Sequence, residues 1–452
     1  MRVHFIAIGG SAMHNLAIAL HKKGFQVTGS DDEIVEPSKS RLAQHNLLPK
    51  LVGWHPELIS AELDVIILGM HARTDNPELL QAQKLGLKIY SYPEYLYEQT
   101  KNKIRVVIGG SHGKTSTTSM VMHVLKQNNI EFDYMVGAML EGFDTMVGLS
   151  HSAKIAVFEG DEYLSSPIDD RPKFHHYQPN IALLTGVAWD HINVFPTFEG
   201  YVDQFRIFAE MVNKNGTLIY FGEDEHLNEI AKNLKIPIKK LPYYTPPYLI
   251  DGHVTTLLTP FDLYDLNVFG EHNLQNIEGA RLVCKELGIG DVDFYEAIVT
   301  FNGSARRLEV IAENDDATIY YDFAHSPSKL KASTRAVKEQ FSSRKLVAVM
   351  ELHTFSSLKK EFLPHYTGAM DSADQAMVYF NPMTIEHKKL EPITIAMVKE
   401  AFGGKVDVFT NSDELFEKLS GMNWTNQNLL MMSSGNFSGK NIKSFGESLL
   451  NK

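Results

Sequence analysis

Cysteine is almost absent from this chain: Cys284 is the only one in 452 residues. A disulfide framework is therefore excluded, and the composition suits a reducing, cytoplasmic compartment. Long apolar runs are missing too. No stretch reaches the roughly 18 residues that a membrane-spanning helix needs. The chain opens directly on a strand pattern, Val3 to Ile8, so no secretion signal is expected. Positive charge is not in excess. With 43 Lys and Arg against 55 Asp and Glu, the formal charge of −12 argues against nonspecific binding to nucleic acid or to an anionic membrane. Local cationic pockets for anionic substrates remain compatible with that balance. Tandem repeats and low-complexity tracts are also lacking. What is present is an ordinary globular composition, 44% apolar and 22% charged, over a length suited to about three domains.

The chain alternates strand and helix signals, which predicts an α/β protein built on parallel sheets. Strands are expected at Val3–Ile8, Gln26–Thr28 and Val65–Leu68, with a helix over Leu16–Lys23. A charged stretch, Gln99 to Arg105, then separates a second block. Its strands are expected at Val106–Ile108, Ile155–Phe158, Ile181–Thr185 and Thr217–Tyr220, apolar enough to be covered on both faces. A β-rich region over 240–270 and a helix from His272 to Leu287 complete it. The third block carries strands at Ala317–Tyr321, Lys345–Glu351, Ala376–Tyr379, Val406–Phe409 and Leu429–Ser433. Ser326-Pro327 opens a helix there, as an N-cap followed by proline at the first helical position. The expected domains are 1–102, 103–308 and 309–452.

The densest signal is Val106 to Thr118, an apolar strand running into Gly109-Gly110-Ser111-His112-Gly113-Lys114-Thr115-Ser116 and a helix. It closes like the pattern G-x-x-x-x-G-K-[ST], but Val107 or Ile108 stands where that pattern opens on glycine. The physics is unaffected. Amides of Gly110, Gly113 and Ser116 at a helix start can cradle phosphate oxygens. Lys114 can reach the β- and γ-phosphates, and Thr115 can ligate Mg²⁺. Alone, the loop points to ATP or GTP and leaves the chemistry open. A second glycine turn, Gly9-Gly10-Ser11-Ala12-Met13, follows the first strand and lacks dinucleotide glycine spacing. It offers another helix start to an anion such as a diphosphate. Ser30 and Asp31 end the next strand, where ribose contacts commonly lie. Two such turns in separate domains suggest two phosphorylated ligands.

A series of landmarks carries a resemblance across essentially the whole chain. Besides the two turns, it includes Glu159-Gly160-Asp161-Glu162, Trp189-Asp190-His191, Gly270-Glu271-His272-Asn273-Leu274-Gln275-Asn276, Arg306-Arg307 and Asp322-Phe323-Ala324-His325-Ser326-Pro327. In this order they resemble the Mur ligases, which use ATP to build the peptide stem of peptidoglycan on UDP-N-acetylmuramic acid. The resemblance implies a Rossmann-like N-terminal domain, a central P-loop ATPase-like domain and a Rossmann-like C-terminal domain. It implies UDP-N-acetylmuramate as donor, its lactyl carboxylate activated by ATP as an acyl phosphate, and an amine acceptor. A monomer or weak homodimer is expected.

The resemblance also distributes roles. Lys114 and Mg²⁺ neutralise the approach of two anions, with Thr115, Glu159 and His191 as metal ligands. His112 faces the sugar or its carboxylate. Asn273 and Asn276, three apart on a helix, contact adenine, although Asn273 also suits a helix cap. Arg306 or Arg307 meets ATP phosphate or the donor carboxylate, Asp322 the ribose or a hinge, and His325 the closed site. Gly10, Ser11, Ala12, Met13, Ser30 and Asp31 face the UDP-sugar. His353–Phe355 and the 434–439 loop are candidates for the acceptor. Glu162-Tyr163 and the cationic run with Arg171 and Lys173 resemble the branch that transfers a whole tripeptide, L-Ala-γ-D-Glu-meso-diaminopimelate. The N-terminal turn and the His325 segment resemble the branch that adds L-alanine. The tripeptide branch is favoured on these residues. Phe205 stands where other branches carry a modified lysine. Two readings of other classes compete. A nonenzymatic ATP-responsive switch has no use for Glu159 and His191, and a dehydrogenase leaves the central loop unexplained.

Overall fold

Val65–Leu68 reads Val-Ile-Ile-Leu, and all four side chains are buried. β-Branched residues hidden on both faces belong inside a parallel sheet, and that is where the computed structural model, which describes residues 1–190 and 192–450, puts them. The N-terminal sheet runs Gln26–Ser30, Arg2–Ile6, Val65–Leu68, Ile89–Ser91, all parallel. The chain leaves Arg2–Ile6 for one neighbour and later returns to the other. That makes this strand's carboxyl end a switch point, where open sheets take up ligands. The first strand stops at Ile6, short of the expected Ile8, because Ala7 turns to φ +69°.

Seven strands form the central sheet, in the order Lys239–Tyr243, Thr217–Phe221, Ile181–Leu184, Ile104–Gly109, Ile155–Gly160, Phe132–Met135, Val147–Gly148. Only the last pair is antiparallel. The expected β-rich region over 240–270 is two things. Lys239–Tyr243 is a parallel edge strand of this sheet, while Tyr248–Asp251, Val254–Leu258 and Leu263–Leu266 make a separate antiparallel sheet. Proline at 242 is tolerated at that edge.

By compactness the chain divides into two units, 1–187 with 197–244 and 277–297, and 188–196 with 245–276 and 298–452. The first holds the N-terminal and central sheets. In the second, a six-stranded sheet runs Glu309–Glu313, Thr318–Asp322, Gln427–Met432, Lys345–Leu352, Gln375–Phe380, Val406–Phe409, antiparallel only at its first edge. Side chains alternate between faces with period two. Ala348, Met350 and Leu352 join one apolar cluster with Leu330 and Ala336, and Val347 and Val349 join another with Leu415 and Leu419. Helices therefore cover both faces. Local signals start many of them. Asn76, Thr197 and Asp224 cap the helices Pro77–Lys84, Phe198–Glu210 and Glu225–Asn233 with their side chains. Ser326 does stand at the N-cap of Pro327–Gln340, with proline next, but its side chain makes no capping bond. Cys284 is buried and free, and burial pushes its thiol up, so it stays protonated. Among the described residues no helix is long and apolar enough to cross a membrane.

Candidate active site

The strand Ile104–Gly109 lies in the middle of its sheet and delivers the glycine loop to the helix Lys114–Gln127. Two glycines there are obligatory. Gly113 caps the helix at φ +76°, and Gly110 sits at φ +136° where a Cβ would collide with the Thr185 side chain. Thr185 then straps the loop from the neighbouring strand. Its amide donates to the Gly109 carbonyl at 3.0 Å, and its hydroxyl donates to the His112 carbonyl. The His112 ring packs on Gly186, close enough that a Cβ there would meet Cε1 at 2.6 Å.

Beyond the loop the chemistry gathers. Thr115 Oγ1 donates to Glu159 Oε1 at 2.9 Å, and the Gly137 amide holds Oε2 at 2.7 Å. Both side chains are more than nine-tenths buried. Two hard oxygen donors side by side suit Mg²⁺. The sequence-predicted pair of Thr115 and Glu159 is thus brought together across 44 residues. His191 lies outside the described residues.

Lys114 Nζ donates to the Gly110 carbonyl at 2.6 Å and to Glu162 Oε2 at 2.6 Å. Burial pushes the ammonium down, but Glu162, Asp161 and Glu159 together outweigh it and hold its pKa above the ordinary lysine value. Glu162 is fully buried, and Tyr201 Oη donates to its other oxygen at 3.0 Å while lying 2.8 Å from Ser111 Oγ. Sequence reasoning quoted Glu162 only as part of a motif and did not find Tyr201. Its signal was faint: one aromatic on an amphipathic helix, one turn before Phe205. Phe205 itself is buried against Phe174 and Tyr201.

At the N-terminal turn, Gly10 opens the helix Ser11–Lys22. Asp31 Oδ2 accepts from the Gly9 amide at 2.6 Å, and burial raises this carboxyl to about 6. The Ser30 carbonyl receives the amides of Ala7 and Ile8. Ala12 is half-buried and Met13 is buried, which leaves Ser11 as the exposed member of the turn. Arg171 and Lys173 are already engaged. Arg171 grips Asp169 with two nitrogens at 2.9 and 2.7 Å and lies 3.4 Å from Glu94, and Lys173 meets Asp161 at 2.6 Å.

In the second unit, Asp190 faces Lys329 at 3.4 Å and His325 Nε2 at 3.9 Å. Asn273 donates to the Phe269 carbonyl one turn back, and Asn276 follows it on the helix Glu271–Glu286, both buried. Asp322 spends both carboxylate oxygens on the amides of Leu308 and Ala324, which makes it a brace for the turn. Arg306, at φ +56°, donates to Tyr321 Oη and to the carbonyls of Ser433 and Gly435, and so anchors the 433–439 loop. That loop meets the other acceptor candidate: a Cβ on Gly435 would touch His353. Between them Glu351, buried, receives Ser433 Oγ and the Phe437 amide.

In sequence, a P-loop sheet is preceded and followed by Rossmann-like sheets, a three-domain α/β architecture built to bind nucleotides. Family models agree along the chain: Mur ligase family, catalytic domain, over 2–103; Mur ligase middle domain over 108–284; Mur ligase, glutamate ligase domain, over 306–435. A UDP-N-acetylmuramate–L-alanine ligase of Caldicellulosiruptor bescii is 30% identical over 389 residues, 83% of this chain and 82% of that one. Among solved structures, a UDP-N-acetylmuramate–alanine ligase from Thermotoga maritima superposes with TM-score 0.72 at 19% identity, and a murein peptide ligase from Psychrobacter arcticus with TM-score 0.67 at 21%. Each alignment covers 100% of this chain and 98% of the other. The chain belongs to the Mur ligase family.

Proposed function

We propose that this enzyme joins the lactyl carboxylate of UDP-N-acetylmuramate to the amine of L-alanine at the expense of ATP. The observation that carries this reading is the relative from Caldicellulosiruptor bescii, similar over four-fifths of both chains and named for that reaction. The paired state of Arg171 and Lys173 supports it as well. A tripeptide bearing extra carboxylates needs open cations, and these two are already matched to Asp169 and Asp161. The tripeptide acceptor, favoured on the sequence alone, stays as the second reading. It rests on Glu162-Tyr163 and on that same cationic run, which it requires to leave Asp169 and Asp161 for the tripeptide's carboxylates.

In this proposal the amides of Gly110, Gly113 and Ser116 hold the triphosphate, and Lys114 moves from Glu162 onto the β- and γ-phosphates. Thr115 and Glu159, with His191, hold Mg²⁺, which supplies charge neutralisation as carboxylate and phosphate approach. His112 positions the donor carboxylate, and Gly10, Ser11, Ala12, Met13, Ser30 and Asp31 serve the UDP-sugar. Asn273 and Asn276 serve adenine, Arg306 an ATP phosphate or the donor carboxylate and Asp322 the ribose, with His325 a further candidate contact. The boundaries 102/103 and 308/309 delimit the three domains, and the location is cytoplasmic. ADP release is measured with ATP, Mg²⁺ and UDP-N-acetylmuramate, and with L-alanine or L-Ala-γ-D-Glu-meso-diaminopimelate. Faster turnover of alanine is expected. Faster turnover of the tripeptide transfers the assignment to the second reading, and no release with either ends both.

A further inference from the structure

One cluster lies apart from the ATP loop, around the Asp169 carboxylate that Arg171 grips. Ser91 and Glu94 form a reciprocal capping box at the start of the helix Tyr92–Thr100, and this uses only Oε2 of Glu94, which accepts from the Ser91 amide and hydroxyl at 2.7 and 2.8 Å. Its Oε1 faces a hairpin, Leu164–Ser166 with Asp169–Pro172, and the short helical turn Lys173–His176 that follows. There it meets Asp169 and His176. Among the described residues, ligand atoms of these three side chains lie within 4.8 Å of one another.

His176 is the informative member. It is 6% exposed, and its Nε2 makes no hydrogen bond. A buried ring nitrogen without a partner is costly. Yet Nε2 points at Asp169 Oδ2 from 3.4 Å, and Nδ1 lies 4.0 Å from Glu94 Oε1. About 3.4 Å is the edge of a tetrahedron drawn around a zinc ion with bonds near 2.1 Å. Glu94, a third exposed, has room to close the remaining gap.

We infer that Glu94, Asp169 and His176 form a second cation site, separate from the ATP loop, that takes Zn²⁺. One imidazole with two carboxylates matches that ion, whereas Mg²⁺ and Ca²⁺ prefer oxygen alone. The Arg171 guanidinium now supplies the positive charge, donating to both oxygens of Asp169 and lying 3.4 Å from Glu94. Its side chain is 56% exposed, so it can leave for solvent as the ion arrives. Zn²⁺ with two carboxylates is neutral, and a water completes four-coordination. The ion ties the first turn of the helix Tyr92–Thr100 to the hairpin after Ile155–Gly160, and so acts as a staple.

The test uses the full-length enzyme, stripped of metal, with Zn²⁺ titrated against a chromophoric chelator and melting followed with and without Zn²⁺. One tight equivalent and a raised melting temperature are expected. Asp169→Asn and Glu94→Gln weaken binding roughly 10-fold or more and abolish the thermal shift. Arg171→Ala tightens binding several-fold by removing the competing cation, and Glu159→Gln leaves it unchanged. Zinc binding that persists in both Asp169→Asn and Glu94→Gln overturns the site. So does binding lost in Glu159→Gln, which would assign the ion to the ATP loop.

Discussion

Asp31 gives the sharpest numerical prediction. It follows the strand Gln26–Ser30 and is 5% exposed, with Oδ2 on the Gly9 amide. Burial raises its carboxyl from 3.8 to about 6; neighbouring Asp32 adds to the rise, and the amides of Gly9 and Glu33 oppose it. The folded state thus binds this proton more tightly than the unfolded chain does. Below about pH 4 the carboxyl is protonated in both states and its contribution is complete. As pH rises toward 6 the unfolded chain ionises first, and stability is lost. A difference of roughly 2 units corresponds to about 3 kcal/mol across that window. The Asp31→Asn variant has no such proton, so the stability difference between it and the wild type should change by about 2.5 kcal/mol between pH 4 and 7, with the wild type losing ground. Trp54 packs on the N-terminal core, and the other tryptophans are Trp189 and Trp424. Replacing those two with Phe leaves a fluorescence reporter for urea unfolding of that core. Parallel curves for the two proteins from pH 4 to 7 would refute the reasoning.

Other expectations concern the central loop. Gly110→Ala drives a Cβ into Thr185 at a positive φ, so a KM for ATP raised at least about 10-fold, with a destabilisation of about 1–3 kcal/mol, is expected from kinetics and melting; an unchanged KM counts against a rigid loop. Tyr201→Phe removes a hydroxyl from the buried Glu162 carboxylate, at a cost of about 1.5–3 kcal/mol. In a double-mutant cycle with Glu162→Gln the two losses should fall short of additivity by 0.5 kcal/mol or more, to be read from urea unfolding. Lys114→Ala should abolish ADP release while leaving UDP-N-acetylmuramate binding intact by calorimetry, and loss of both would place the two ligands in one site.

The parts legible in the sequence are those whose signal is local. A strand, glycines, Gly-Lys-Thr and a helix stand in a row, and Val65–Leu68 announces its own burial. Glu159 was legible from the ordered landmark series and from its place just after an expected strand, and the structure sets that strand beside the loop's own. Partnerships between distant side chains were not. Lys114 with Glu162, and Glu162 with Tyr201, meet only after the sheet and the helix Phe198–Glu210 are assembled. Arg171 and Lys173 read as open cations because their partners are fixed by a hairpin bend that no pattern signals. Asp322 resembled a ligand contact, and its oxygens go to two backbone amides, that of Ala324 in its own turn and that of Leu308 fourteen residues before it. The strand Ile89–Ser91 is only three residues long, too short to carry a period.

The pairing of Lys114 with Glu162 bears on selectivity in a crowded cell. A ligand entering the loop meets a neutral pair, so it must displace a carboxylate before it gains an ammonium. Orthophosphate, with little else to offer, makes a poor trade, whereas a triphosphate recovers the loss through its many further contacts. The pairing therefore predicts weak inhibition by orthophosphate, and an orthophosphate inhibition constant that falls in Glu162→Gln is the measure of how much this single carboxylate contributes.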